Sequence, residues 1–194
     1  MMQISEEKQH VINQISEIYS IISKDKEFSR LIPEVRMNIS GSLSNAKNKN
    51  DIAGIEGRIT IINGFPKASG EIKFGVSDHT ARLILTAKKF DSSINFVINL
   101  KYIPELIQSI KKNTNLDLQE IIREEQPEDM KRKEYSTMRW LINESVKKKG
   151  KIPDLIWDKG AIGKEPMMRL FGKNSNDIIK KLEQIIKLIK KKKV

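Results

Sequence analysis

The stretch from Asp51 to Lys88 constrains the fold more strongly than any other part of the chain. It holds five of the ten glycines, which separate short β-branched runs, and one of only two histidines. Glycines between β-branched runs are typical of strands joined by tight turns, and the apolar residues of 80–90 form a broad face that predicts a helix. The order strand, turn, strand, loop, helix therefore indicates an α/β domain.

Two residues of this stretch are candidates for binding an anion. Arg58 opens the predicted strand 58–63, and His79 lies in the first turn of the predicted helix, for which Ser77 or Asp78 is the expected N-cap. Free backbone N–H groups at a helix N-terminus attract anions and lower the pKa of an imidazole. Spacing alone still favours the alternative that His79 is a local cap or a core residue.

The rest of the chain repeats the alternation of helices and strands. Helical periodicity predicts further helices over 4–24, 103–112, 135–148 and 177–193, and β-branched runs predict further strands over 35–39, 94–100, 116–124, 153–160 and 167–172. A returning strand is expected within FPKASGEIKF, directly after strand 58–63. Because short turns and crossover helices both occur, we predict three α/β/α layers around a mixed sheet.

The chain contains no repeat, no internal linker and no second core. We expect one domain over 30–194, preceded by an N-terminal amphipathic helix and linker over 1–29. This helix either covers the domain or connects it to something upstream.

Two segments before the predicted helix 80–90 supply further polar candidates. Arg36 and Asn38 share one face of the predicted strand 35–39, where they meet solvent or line a pocket. Lys67 lies at the start of the returning strand and is a candidate for binding a phosphate.

The second half of the chain supplies four more candidates. Glu125 follows Glu124 on an acidic loop, where a carboxylate either meets solvent or binds Mg²⁺. Ser136 and Thr137 stand near a helix start, where hydroxyls cap the helix or help hold a phosphate. Lys164 lies in the glycine loop GAIGKEP, which resembles a phosphate cradle in composition but lacks the spacing of a P-loop.

Composition narrows the classes of function. The absence of cysteine and the presence of only two histidines exclude a thiolate nucleophile and a multi-histidine metal site. No apolar run approaches the length of a membrane span, so a cytoplasmic protein is expected. The net charge of +11 suggests an anionic partner, but no aromatic residues are interleaved with the basic runs to stack bases, so we expect small phosphorylated ligands and no nucleic acid.

Several segments, taken in order, resemble the ThiN-type thiamine-phosphate synthase domain of archaea and some bacteria. They are PEVRMNI, DIAGIEGRITIINGFPKASGEIKFGVSDHTAR, IIREEQP, STMRW and PDLIWDKGAIGKEPMMRLFG. The resemblance covers residues 30–190 and implies an enzyme that condenses hydroxymethylpyrimidine diphosphate with hydroxyethylthiazole phosphate, which gives thiamine phosphate and diphosphate. The alternative that it also implies is a non-catalytic thiamine-phosphate-binding sensor module.

The resemblance also carries expectations about the site and the assembly. The family's arginine and histidine match Arg58 and His79, which favours the enzyme over the sensor. The implied fold is that of the class II aldolases, with a mixed, mainly antiparallel sheet, but the aldolases' zinc-binding histidines have no counterpart here. We therefore expect no zinc, haem or nucleotide, with Mg²⁺ as the candidate ion that accompanies the diphosphate. We also expect a homo-oligomer, and either a stand-alone protein or a piece of a fusion behind a hydroxymethylpyrimidine kinase.

Overall fold

A computed structural model describes residues 5–132 and 136–191 of the chain. The helices are α1 (Glu6–Ile22), α2 (His79–Ala87), α3 (Pro104–Asn113), α4 (Glu128–Arg132), α5 (Ser136–Lys149) and α6 (Ser175–Lys191). The strands are β1 (Ile39–Ser42), β2 (Ile52–Ile55), β3 (Ile59–Ile62), β4 (Phe65–Ala68), β5 (Ile72–Phe74), β6 (Phe96–Lys101), β7 (Leu118–Glu120), β8 (Leu155–Asp158) and β9 (Met167–Gly172). Within the described ranges, no helix has the length and apolarity needed to cross a bilayer.

Seven strands form one sheet between two helical layers. Their order is β5-β2-β1-β6-β9-β8-β7, and β7 with β8 is the parallel pair among otherwise antiparallel neighbours. Helices α1, α3 and α6 pack on one face of the sheet, and α2 and α5 pack on the other. The predicted α/β fold with three layers and a mixed, mainly antiparallel sheet is confirmed.

The two faces of the sheet follow the two-residue period of its strands. In β6, Phe96, Ile98 and Leu100 enter the core under α1, α3 and α6, whereas Val97 enters the core under α2 and α5. The central strands β6 and β9 are buried on both faces over most of their length, and therefore most of their residues are apolar.

Helix α1 is built into the larger of these two cores. Its apolar stripe is fully or nearly fully buried and consists of Val11, Ile15, Ile18 and Ile22. The hydroxyl of Tyr19 also accepts a hydrogen bond of 2.9 Å from the backbone N–H of Ala68 in β4. The N-terminal segment is thus held to the sheet by packing and to the β3–β4 hairpin by a hydrogen bond.

The segment before β1 is not the strand that its alternating pattern predicts. Arg36 has a φ of +68°, which a strand residue does not adopt, and Met37 forms an isolated bridge to Ile59. The regular ladder begins only at Ile39. Arg36 and Asn38 therefore do not lie side by side on one face of a regular strand, as predicted.

The region 52–74 contains four strands where two were predicted. Strand β2 (Ile52–Ile55) was missed, and the expected returning strand is two separate strands, β4 and β5. Strands β3 and β4 form a hairpin of their own, whereas β2 and β5 pair within the main sheet. Local pattern cannot distinguish these pairings, because they are set by contacts between segments distant in sequence.

The remaining elements differ from expectation mainly at their ends. Strand β7 is shorter than the predicted 116–124, since residues 123–125 form a turn of 3₁₀-helix, and α4 was not predicted. The first residue of each helix predicted over 4–24 and 135–148, and the last two of that over 177–193, lie outside the described residues.

If α1 is part of the cooperative core, Ile18→Ala should lower the free energy of unfolding by about 2–5 kcal/mol, because it leaves a cavity at a fully buried position. The neighbouring Glu17→Ala, at an exposed position of the same helix, should change it by less than about 0.5 kcal/mol. Urea unfolding of both variants measures the difference. Equal midpoints for Ile18→Ala and wild type would show that α1 does not unfold with the domain.

Candidate active site

A cavity of about 400 Å³ lies on the α2/α5 side of the sheet and brings the two leading candidates together. Its wall includes Arg58 from the start of the β3–β4 hairpin and His79 from the first turn of α2. Asn38, Asn99 and Arg169 also line it. A guanidinium and an imidazole that are distant in sequence therefore face one cavity, as the resemblance implies.

Three strands form the polar floor of this cavity. On the α2/α5 face of each strand, an apolar residue lies two positions from a polar or charged one. The pairs are Val97 and Asn99 in β6, Phe171 and Arg169 in β9, and Ile156 and Asp158 in β8. Asn99 and Arg169 are direct partners in the β6–β9 ladder. Since side chains two positions apart share a face, the floor is held as rigidly as the sheet itself.

Arg169 is held in the floor by a buried carboxylate. Its Nη1 lies 2.7 Å from Oδ2 of Asp158, and the other oxygen of Asp158 lies 3.2 Å from Nε of Arg123. The exposed fractions of the three residues are only 4%, 0% and 7% for Arg169, Asp158 and Arg123. Burial lowers the pKa of Arg169, and the charge of Asp158 opposes that shift. One carboxylate is therefore shared by two guanidinium groups, which leaves a net positive charge beneath the cavity.

Arg58 is aimed by the backbone around it. It has a φ of +68°, an uncommon conformation for a residue other than glycine, and follows Gly57 with the same φ. Its Nη1 donates a hydrogen bond of 2.6 Å to the backbone oxygen of Val35. Within the described ranges it makes no ion pair with a carboxylate, so its charge remains available to an anion in the cavity.

Glu165, in the loop between β8 and β9, fixes the turn that aims Arg58. Its two carboxylate oxygens accept hydrogen bonds from the backbone N–H groups of Glu34 and Val35, at 2.9 and 3.1 Å. The oxygen of the same Val35 accepts from Arg58. Glu165 is thus linked to Arg58 through a single residue of backbone.

Two asparagines clamp the irregular segment that precedes β1. Both ends of the Asn38 amide bond the backbone of Ile55, and the Asn99 amide accepts from the N–H of Asn38 and donates to the oxygen of Arg36. These bonds replace the strand pairing that the positive φ of Arg36 prevents. Asn38, predicted as a substrate-binding residue, lines the cavity with its amide already bonded to β2.

The first turn of α2 supplies backbone N–H groups beside His79. Asp78 is the N-cap residue but makes no capping hydrogen bond with its side chain, which instead pairs with Arg82 at 2.6 Å. Ser77 also does not cap the helix, because its hydroxyl is bonded to that of Thr80. Asp78 is therefore the N-cap residue, as predicted, but its side chain does not bond the backbone of the first turn of the helix.

The surroundings of His79 favour its neutral form. Partial burial in the cavity wall lowers the pKa of His79 below its ordinary 6.5, the charge of Arg82 lowers it further, and Asp78 opposes both. Arg58 and Arg169 add smaller effects in the same direction as Arg82. At neutral pH the imidazole is therefore mainly uncharged.

Three predicted residues lie away from this cavity. Arg36 donates to the backbone oxygen of Gly57 on the outer side of the turn, and Lys67 is exposed on β4. Glu125 pairs with Lys148 of α5 at 2.8 Å and lines neither this cavity nor the one described next. The role of Glu125 in binding Mg²⁺ stays a prediction.

The remaining predicted residues relate to a second cavity of about 410 Å³. Lys164 lines it, together with Arg123 and Gln126. The hydroxyl of Thr137 accepts a hydrogen bond of 3.2 Å from Gln126, whereas that of Ser136 donates to the backbone oxygen of Met130. Of the predicted phosphate-binding residues, Asn38 therefore lines the first cavity and Lys164 lines the second, whereas Ser136 and Thr137 line neither.

Sequence reasoning missed Arg169, Asp158 and Glu165. A signal for the first two was present, since MMRLFG and LIWD each place one charge in an otherwise apolar strand, and a charge buried there needs a partner. No comparable local signal marks Glu165, because the residues it binds are about 130 positions away.

The histidine signal that disappears in His79→Asn should titrate below 6.5 in the nuclear magnetic resonance spectrum of the wild type. Because the folded chain then binds fewer protons than the unfolded chain, this group's contribution to stability is complete above pH 6.5 and is lost as the pH falls toward the folded pKa. Wild type should accordingly lose more unfolding free energy than His79→Asn on acidification. A midpoint above 6.5 would contradict the assigned environment.

Glu165→Gln should lower the free energy of unfolding by about 1 kcal/mol, because an amide offers one acceptor where two N–H groups need two. Glu71→Gln is the matched control, since its exposed carboxylate is 3.4 Å from a lysine and accepts no backbone N–H from the part of the chain that the structure describes. Thermal or urea unfolding measures both. Equal effects of the two substitutions would show that the bonds to Glu34 and Val35 do not stabilise the turn.

Comparison with known proteins identifies two relatives of the chain. The chain is 38% identical over 183 residues to the bifunctional thiamine biosynthesis protein ThiDN of Methanocaldococcus jannaschii, covering 93% of this chain but 42% of that protein. It is 31% identical over 180 residues to the thiamine-phosphate synthase ThiN of Methanothermobacter thermautotrophicus, covering 93% of both. The chain thus spans less than half the length of the first relative.

Solved structures also superpose on this chain. The C-terminal domain of a phosphomethylpyrimidine kinase superposes with a TM-score of 0.81 at 35% identity, over 91% of this chain and 96% of that domain. An aldolase II superfamily protein from Pseudomonas syringae gives a TM-score of 0.54 at 9% identity, over 96% of this chain and 76% of that one. The second likeness concerns the fold alone and confirms its aldolase-like character. The model of the family described as thiamine-phosphate synthase ThiN matches residues 14–184, and the chain belongs to that family.

Proposed function

We propose that this chain is a thiamine-phosphate synthase that joins hydroxymethylpyrimidine diphosphate to hydroxyethylthiazole phosphate. The observation that carries the proposal is the shared cavity of Arg58 and His79 above the buried Arg169. Three groups that favour negative charge converge there, beside the N-terminus of α2. Membership of the ThiN family supports the enzyme over the sensor.

The reaction needs stabilisation mainly at its leaving group. The thiazole nitrogen attacks the methylene carbon of the pyrimidine, and the bond from that carbon to the diphosphate oxygen breaks with both electrons passing to the diphosphate. Negative charge therefore develops on the departing oxygens while the ring nitrogen becomes cationic. Cations already in position at those oxygens lower the barrier, since they need no reorganisation during the reaction.

Each cavity residue has a distinct part in this scheme. Arg58 binds two oxygens of the diphosphate with its guanidinium fork. His79, neutral before the substrate binds, donates an N–H from the helix start to the same group. Arg169 supplies positive charge from a fixed place in the floor, because Asp158 prevents its side chain from moving.

A divalent cation fits the cavity only as a companion of the substrate. Within the described ranges no three metal-ligating side chains cluster, and Asp78 is the carboxylate in the cavity wall. Mg²⁺ is commonly bound by one or two carboxylates together with substrate phosphates, and it neutralises part of their charge. We propose that Asp78 is the protein ligand of a Mg²⁺ brought by the diphosphate.

The proposal extends to the protein's surroundings. We assign it to the cytoplasm as a homo-oligomer whose partners are small phosphorylated substrates. The likeness to the C-terminal domain of a phosphomethylpyrimidine kinase supports a functional link to that kinase activity. No role in binding nucleic acid or membranes is proposed.

Arg58→Ala should lower the rate of diphosphate release at saturating substrates by about 10²–10³-fold, as expected when one preorganised donor to the leaving group is lost. The matched control is Arg30→Ala, a surface arginine paired with Glu27 outside the cavity, which should retain the wild-type rate. A coupled assay for diphosphate with both substrates measures each rate.

Two outcomes would contradict the proposal in different ways. If wild type binds thiamine phosphate but releases no diphosphate from the two substrates, the chain is a binding module and not an enzyme. If wild type is active and Arg58→Ala retains its turnover, the reaction is right and the leaving-group site is wrong.

A further inference from the structure

The second cavity lies beyond the buried carboxylate that anchors Arg169. It is enclosed by the turn after β7, which contributes Arg123 and Gln126, and by the loop after β8, which contributes Ile162 and Lys164. Its volume of about 410 Å³ matches the 400 Å³ of the first cavity. Ile162, at the loop tip, is fully exposed, so one wall of the cavity is an apolar side chain in contact with solvent.

Arg123 is the unusual residue of this cavity. Its exposed fraction is 7%, and its guanidinium lies 3.2 Å from Asp158 at Nε. Its Nη1 is buried and has no hydrogen-bond partner within the described part of the chain. An unsatisfied buried donor on a charged group is destabilising, so this Nη1 is expected to have a further partner, and a ligand bound in the cavity can supply it.

The charges around Asp158 point to an anion as that partner. Asp158 carries one negative charge but pairs with both Arg169 and Arg123, so the buried triad is positive by one unit. Desolvation of an uncompensated charge is costly, and an anion on the Arg123 side would compensate it. Lys164 adds a second cation at the mouth of the same cavity.

The loop that carries Lys164 is fixed in shape. Ala161 and Lys164 exchange two backbone hydrogen bonds, at 3.1 and 2.8 Å, and the N–H of Gly160 donates to Asp158 at 2.8 Å. Gly160 has a φ of +77°, and a Cβ there would clash with the backbone oxygen of Lys164. The lysine is therefore presented by a closed loop that is bonded to the charge centre itself.

We propose that this second cavity binds the phosphate monoester of hydroxyethylthiazole phosphate, through the charges of Arg123 and Lys164. This inference rests on the proposed function, in which two phosphorylated substrates must be bound at once. The diphosphate occupies the cavity of Arg58, His79 and Arg169. Asp158 contacts a guanidinium from each cavity, so it holds the two anion sites next to each other, as a reaction between two substrates requires.

The balance of charge suits a monoester better than a diphosphate. Glu124 also lines the second cavity and offsets part of the charge of its two cations. The first cavity combines two arginines, an imidazole and a helix start, with Asp78 already paired to Arg82. The more highly charged substrate is therefore assigned to the first cavity and the less charged one to the second.

Lys164→Met tests this assignment without disturbing the core, because Lys164 is exposed on the loop. It should raise the KM for hydroxyethylthiazole phosphate by about tenfold or more, as the loss of a charge-assisted hydrogen bond implies, and leave the KM for the diphosphate substrate unchanged. Arg123→Lys, which keeps the charge but removes the planar fork, should also raise the KM for hydroxyethylthiazole phosphate. Lys159→Met is the control, since Lys159 pairs with Glu120 and lines neither cavity.

Calorimetric titration keeps this test separate from the test of catalysis. Without the diphosphate substrate, wild type should bind hydroxyethylthiazole phosphate more tightly than unphosphorylated hydroxyethylthiazole, and Lys164→Met should remove most of that difference. If wild type releases no diphosphate, the proposed function fails. The difference in affinity between the phosphorylated and the unphosphorylated ligand still shows whether the second cavity binds the phosphate. If Lys164→Met instead raises the KM for the diphosphate substrate, or keeps the full benefit of the ligand's phosphate, the assignment is overturned.

Discussion

The fold of this protein is organised around a charge that its core does not neutralise. Asp158 is completely buried and faces two arginines that are themselves nearly buried, so the interior holds two positive charges against one negative. Hydrophobic residues of similar volume would often be at least as stable in such a place. The arrangement is therefore poorly explained by stability alone, whereas a site that must receive anions explains both the surplus charge and its position between two cavities.

The sheet and the hairpin contribute to this site in different ways. Arg169 and Asn99 are neighbours in a ladder, so their spacing is fixed by strand pairing. Arg58 stands outside the main sheet, and its direction depends on a left-handed backbone and on the turn that Glu165 holds. A rigid floor thus provides constant charge, and a separately bonded turn brings the arginine that can meet the substrate.

Whether an element could be predicted depends on how far apart in sequence the residues that stabilise it lie. Helices such as α1 and α6 were predicted because their signal repeats every three to four residues within the element itself. Strand 35–39 was predicted wrongly, since the positive φ of Arg36 is supported by Asn99 and Glu165, which are remote in sequence. Arg58 and His79 were proposed as anion-binding candidates from their positions at the starts of a strand and a helix, but spacing alone favoured a structural role for His79, and only the resemblance to a family favoured a functional one.

The net charge of +11 illustrates the difference between charge that is present and charge that is available. The basic run at the C-terminal end of α5 is largely paired, with Lys148 bound to Glu125 and both Lys149 and Lys151 bound to Asp117. Exposed pairs of this kind are screened by salt and contribute little to binding or stability. The two buried arginines are only a small part of the total, yet water cannot screen them, so the field inside the cavities is set mainly by these residues. In this basic protein the two buried arginines therefore matter more for anion binding in the cavities than the larger number of exposed lysines.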